Sequence, residues 1–288
     1  MASAVFFYEI FSDFALLSGG DWRGSAPLIN LQDQDVGKVA RSTDAANAST
    51  IIEIDLGRAQ LVGGIAAGPT NISRGAQWRI SAYDDPDYTD LLHTSGLETV
   101  GGAVVDSLDL EWEDPGFWEG NPDYTDEDDL PTYIYHVCDD EVLAQWWRVE
   151  IFDADNADGY LDIGRLLLSR VYRPSHNYDY GDNALSIEPL FDVSESLGGR
   201  EDYWERGMRR TWRCAFSALP LPEDELFSNA LRQMLRSRAS GQMFVVPDPD
   251  DTLHGKRRSF LCRFSQLPSI QQVQYGLGSV AFDLKEVL

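Results

Sequence analysis

Two-residue alternation of apolar and polar positions dominates the first 175 residues. STIIEIDLG alternates and is rich in β-branched residues, QWRISAY sets Trp78, Ile80 and Ala82 on one side, and QWWRVEIFD does the same with Trp147, Val149 and Ile151. Each run is bounded by Gly, Asp or Asn, residues that supply turns, so each predicts a half-buried strand. No long segment of 3.6-residue period interrupts them. Short strands separated by long polar loops predict a β-sandwich of the jelly-roll kind, with loops gathered at its ends. FFYEIF, near the start, is too apolar to be left uncovered and reads as an edge strand of one sandwich or another.

The pattern changes after residue 175. SIEPLFDVSESLGG leads into EDYWERGMRRTWRCAFSAL, where Trp212, Cys214, Phe216 and Ala218 share one face of a strand. A helix is predicted over 223–238. Pro222 precedes Glu223, Asp224 and Glu225; Phe227, Ala230, Leu231, Met234 and Leu235 form an apolar stripe; Arg232, Arg236 and Arg238 come last, before Gly241. Acidic residues first and basic residues last complement the helix dipole. GQMFVVPDPDD, RRSFLCRFSQL and GSVAFDLKEV then predict three more strands. The expected fold is therefore all-β: a jelly-roll β-sandwich over 1–175, then a second β-sandwich over 176–288 with one flanking α-helix.

Charge sharpens that boundary. The 288-residue chain carries a formal net charge of −25, and 32 of its 48 acidic residues but only 10 of its 23 basic ones lie in 1–175. So negative a surface repels phosphate backbones, which excludes nucleic-acid binding through the first part. The apolar run at the start is interrupted by Glu9 and Asp13, and no Lys or Arg precedes it. It predicts neither a signal peptide nor a membrane span, and synthesis in a cytoplasm. Cys138, Cys214 and Cys262 form no CxxC pair, and the strand alternation around Cys214 and Cys262 predicts small buried hydrophobes.

Three segments invite a chemical reading. DADNADGYLDIG, from Asp153, has four aspartates within ten residues, which suggests calcium with Asp153, Asp155 and Asp158 as ligands. The EF-hand register fails, because Ala157, Asp158 and Gly164 stand at positions 5, 6 and 12 of such a loop. A turn is the simpler expectation, with no cofactor required and a calcium ion in non-EF geometry as the alternative. The loop from Asp106 to Asp140 mixes Trp112, Phe117, Trp118 and Tyr124 with many carboxylates and three prolines. Aromatic faces beside hydrogen-bonding carboxylates suit a sugar ring, making Trp112, Trp118 and Tyr124 candidate carbohydrate-binding residues; packing onto the same domain or a neighbouring subunit is the competing expectation. PDPDD at 247–251 reads as a turn. His93, His136, His176 and His254 show no HxxxH or HExxH spacing, and GxSxG, P-loop and GxGxxG are absent. No enzyme is predicted.

IIEIDLG, NISRGAQWRISAYDD and WWRVEIFDADNADGYLDIGRLLL resemble the galactose-binding-like, or discoidin-like, β-sandwich over about residues 25–175, especially the variant carried by bacteriophage tail proteins. That resemblance implies ligand loops at one end of the sandwich, often for sugars, and in some members a structural calcium. RRTWRCAFSALPLPEDELFSNALRQML, QMFVVPDPDD, RRSFLCRFSQLPSI and a last strand ending FDLKEVL resemble the tail-tube-like fold of phage distal tail and baseplate proteins over about 185–288. Together the resemblances imply a homo-oligomeric ring at the tail tip, assembled in the host cytoplasm and carried in the virion. Its partners would be tail-tube and tail-hub proteins, and its outward domain would brace neighbours or touch host-surface glycans. A free-standing lectin-like protein is the alternative.

Overall fold

The computed structural model describes residues 3–101, 111–113, 131–195, 199–220, 241–251, 254–266, 268–269 and 271–288. The all-β expectation holds. The strands in chain order are β1 (Val5–Ile10), β2 (Leu16–Ser18), β3 (Ala40–Arg41), β4 (Ile52–Ala67), β5 (Gln77–Tyr83), β6 (Leu91–Thr94), β7 (Glu98–Thr99) and β8 (Ile134–Phe152). They continue with β9 (Asp162–Ile163), β10 (Leu166–Tyr172), β11 (Ala184–Glu195), β12 (Glu201–Pro220), β13 (Met243–Val246), β14 (Phe260–Phe264), β15 (Gln271–Gln274) and β16 (Leu277–Glu286). The helix predicted over 223–238 lies outside the described residues. Among those described, no helix is long and apolar enough to cross a membrane.

Alternation in the sequence becomes burial in the fold. Ile52 and Ile54 on β4, Trp78 and Ile80 on β5, and Trp147, Val149 and Ile151 on β8 fill one core. β4 and β8 pair along most of their length, and their register shifts twice, between Asp55 and Gln60 and between Val62 and Gly64. Shifts of this kind bend a sheet, so one pair of long strands lines two sides of that core. Trp212, Cys214 and Phe216 fill a second core with Phe244, Phe260 and Phe282. All three cysteines are buried free thiols.

β1 is not the edge strand its sequence suggests. It pairs with β10 on one side, Phe6 opposite Tyr172, and with β13 on the other, Val5 opposite Val246. Eleven of these strands thereby form one continuous path, β11-β12-β16-β14-β13-β1-β10-β4-β8-β5-β6, with β2, β7 and β15 attached beside it and β3 and β9 paired apart. The reason lies in VFF: Val5, Phe6 and Phe7 are all buried, so both faces need cover as well as both edges. Phe6 stacks on Trp212 at 6.0 Å and meets Phe216 and Phe282 edge-on, while Phe7 packs edge-on against Phe244 at 5.4 Å. Gly64 on β4 makes room for this, since a Cβ there would stand 2.6 Å from the Phe7 ring.

A buried ion pair sits beside the second core. Arg210 on β12 and Glu286 on β16 are both buried, and the guanidinium meets the carboxylate through Nε at 3.0 Å and through Nη2. Its remaining protons go to the carbonyls of Arg257 at 2.7 Å, Ser259 at 3.3 Å and Pro131 at 2.8 Å. Tyr133 and Phe260 flank it, with ring centroids 5.3 and 5.4 Å away. The PDPDD segment is a turn, as expected: Asp248 Oδ1 accepts from the Asp250 N–H and Asp251 Oδ1 from the His254 N–H, leading into a short helix, Gly255–Arg258.

Candidate functional site

Loops converge at one end of the N-terminal sandwich because their backbone groups, leaving the strands, pair with one another. The Ser42 N–H donates to the Leu161 carbonyl at 3.0 Å, and Ser42 Oγ accepts from the Leu161 N–H at 2.8 Å. Asn71 accepts from the Asp162 N–H at 2.7 Å and donates to the Tyr160 carbonyl and to Asp158 Oδ2. The Thr70 N–H donates to the Thr132 carbonyl, and the Gly101 N–H to that of Arg74. The long loop thus leaves and returns at this end.

Tyr160 is the centre of its chemistry. The Arg41 guanidinium lies 4.2 Å from the ring centroid and grips Asp162 with two hydrogen bonds, at 2.7 and 2.6 Å. Arg23 approaches the same ring at 5.1 Å. A forked donor, a carboxylate acceptor and an aromatic surface held together in this way can meet the hydroxyls and the apolar flank of a sugar. None of these four residues stands out in sequence. What could have marked Arg41 and Asp162 is only that they come to face each other across β3 and β9.

The residues singled out from sequence fare differently. Trp112 is 76% exposed, between Glu111 and Glu113; Trp118 and Tyr124 lie outside the described residues. The DADNADG segment is the connection between β8 and β9. Asp153 is buried, and its Oδ2 accepts from the Ser73 N–H at 2.8 Å and from Asn156 Nδ2 at 2.7 Å. Asp158 takes the Asn71 amide, Asp155 is exposed, and among the described residues the three carboxylates do not converge on a point. Replacing Asp153 with Ala leaves one buried and one half-buried donor without their acceptor and should lower stability by about 1–3 kcal/mol. Urea unfolding measures this; a loss near zero would mean that the loop is held by other bonds.

A different cluster does converge. His93 on β6 and His136 and Cys138 on β8 bring one donor atom each to within 4.8 Å of one another. Glu98 on β7 holds His136 Nδ1 at 2.8 Å. Burial works against charge on His136, but its contacts with Cys138 and Glu98 outweigh that and raise its pKa to about 9. Burial and the neighbouring His136 push His93 the other way. The signal for this cluster in sequence is faint: His-x-Cys puts two donors on one face of a strand, while His93 arrives from a separate strand.

The fold and this end define an all-β protein whose sandwich loops close over an aromatic, guanidinium and carboxylate group. No known protein family and no curated protein matches the chain. Among solved structures it is similar to carbohydrate-binding domains of the galactose-binding-like kind. The family 32 carbohydrate-binding module of C. perfringens NanJ, in complex with galactose, shares 15% identity at a TM-score of 0.37, over 58% of this chain and 99% of that one. A CBM32 module from a family 31 glycoside hydrolase of Clostridium perfringens shares 10% at 0.36, over 57% and 99%. The lectin domain of lectinolysin, complexed with Lewis B antigen, shares 12% at 0.36, over 56% and 96%.

Proposed function

We propose that this chain is a non-catalytic glycan-binding protein whose binding end is the loop cluster around Tyr160. The observation that supports this reading is the grouping of Tyr160, Arg41, Asp162 and Arg23 where the loops meet. Sugars are held by such mixtures, because each ring offers paired hydroxyls to forked donors and acceptors and a C–H face to an aromatic. Trp112, exposed on the long loop that begins and ends at the same end, supplies a second aromatic surface. The test is a glycan array probed with the purified chain, followed by titration of the best ligand. Tyr160→Ala and Trp112→Ala should each weaken binding by about tenfold, the equivalent of one aromatic contact, without lowering the melting temperature. No binding on the array, or binding indifferent to both substitutions, would sink the reading.

A second reading, the tail-tip ring component, is favoured by the β11–β12 arm. Among the described residues β11 pairs only with β12, which leaves its other edge without a partner from them, and the arm exposes Ile187, Phe191, Val193, Tyr203 and Trp204, the last at 67%. Open edges and exposed aromatics are what subunit assembly covers. In that reading the arm joins neighbouring copies or tail proteins in a virion assembled in the host cytoplasm, and the sandwich carries glycan contact outside the ring. Light scattering at several concentrations separates the two: a free-standing lectin stays a monomer, and a ring component self-associates.

A further inference from the structure

We propose that His93, His136 and Cys138 bind a zinc ion, leaving one coordination position open to the cleft beside them. This inference is independent of the glycan reading, since the cluster shares no residue with the Tyr160 group and draws on β6, β7 and the start of β8. Three observations carry it.

The first is the donor set. Two imidazoles and a thiolate suit zinc better than they suit harder cations, and three protein ligands are a known zinc arrangement in which water or a small ligand takes the fourth position. The second is the state of the ring nitrogens. His93 Nε2 and His136 Nε2 are both buried with no oxygen or nitrogen to bond, and the His136 ring meets the Cys138 side chain. Buried polar atoms are normally satisfied, and a shared metal satisfies these three at once. The third is the support behind them. Glu98 Oε1 stands 2.8 Å from His136 Nδ1, which is how a metal-bound histidine is oriented and made more basic. The Cys138 carbonyl accepts from Arg173, which pins this end of β8.

The geometry requires a modest contraction. Zinc at about 2.0–2.1 Å from nitrogen and about 2.3 Å from sulfur needs tetrahedral donor spacings of about 3.3–3.7 Å, against a present limit of 4.8 Å. His93 is the ligand that can move, since β6 is a four-residue strand paired, among the described residues, only with β5. The adjoining cleft, about 590 Å³, is lined by both histidines, Glu98, Ser95, Asp139 and Arg173. The open position therefore faces polar groups and admits water or an anion. Binding displaces the protons that the ligands carry, so loading releases protons to solution.

The test uses the full chain, reduced and freed of metal with a chelator, then titrated anaerobically with Zn²⁺ against a chromophoric competitor and, separately, with Co²⁺. One equivalent should bind, and the cobalt form should show intense tetrahedral visible bands with a thiolate-to-metal charge-transfer band. Cys138→Ser should abolish that band although Cys214 and Cys262 remain, and His93→Ala should weaken zinc binding at least a hundredfold. Glu98→Gln should weaken it by about 10–100-fold while the cobalt bands stay. Because Cys138 is buried, its variant is checked by circular dichroism, and His93→Ala, on the short outer strand, decides the matter if Cys138→Ser misfolds. Substoichiometric binding, or binding unchanged in His93→Ala, would overturn the site. Imidazole should shift the cobalt bands, and bands that do not move would overturn the open position.

Discussion

Glu286→Ala should remove about 3–5 kcal/mol of stability, the cost of leaving a buried charge without its partner. Arg210 has no second carboxylate to turn to among its described partners; its other contacts are carbonyls and two aromatic rings. Those carbonyls belong to Pro131, at the end of the long loop, and to Arg257 and Ser259, next to β14. The pair therefore holds together segments far apart in sequence. Urea unfolding of the wild type and the variant gives the number, and a loss below about 1 kcal/mol would show that the guanidinium reaches water in the variant. The double variant Arg210→Met/Glu286→Leu should recover much of the loss, because packed apolar residues replace buried ion pairs at little cost.

Phe6→Ala is the second large effect, about 3–5 kcal/mol for emptying a ring-sized space in a packed core. Its distinguishing feature is where the loss appears. β1 lies between β10 and β13, so hydrogen exchange should quicken in both Leu166–Tyr172 and Met243–Val246. Quickening confined to one of these segments would mean that β1 belongs energetically to one side only.

The half-buried strands were legible because burial on one face writes itself as alternation, and Trp78, Ile80, Trp147, Val149, Trp212 and Phe216 are all in the cores it predicts. β1 was not legible in the same way. A run buried on both faces has no period to read, and its partners lie at 166–172 and 243–246, distances over which sequence leaves no local trace. The candidate site divides similarly. Trp112 draws notice in sequence as an aromatic among carboxylates, whereas Tyr160, Arg41 and Asp162 acquire meaning only once β3 and β9 pair. His136 and Cys138 share a strand face by spacing alone, but the third donor comes from a strand that only folding brings near.

The placement of β1 also sets an order of events during synthesis. β1 leaves the ribosome ahead of β2–β16 and is among the last of them to be fully paired, because its β13 edge is matched only after Val246 has been made. Until then β10 and β4 can fold with β8 and β5, while one side of β1 waits as a bare apolar edge. Closing so long a loop is slow, and an unpaired edge of this kind invites pairing between nascent chains. Chains truncated before residue 243 should therefore aggregate through β1, and production of the intact protein should respond more to chaperone supply and translation speed than its final stability would suggest.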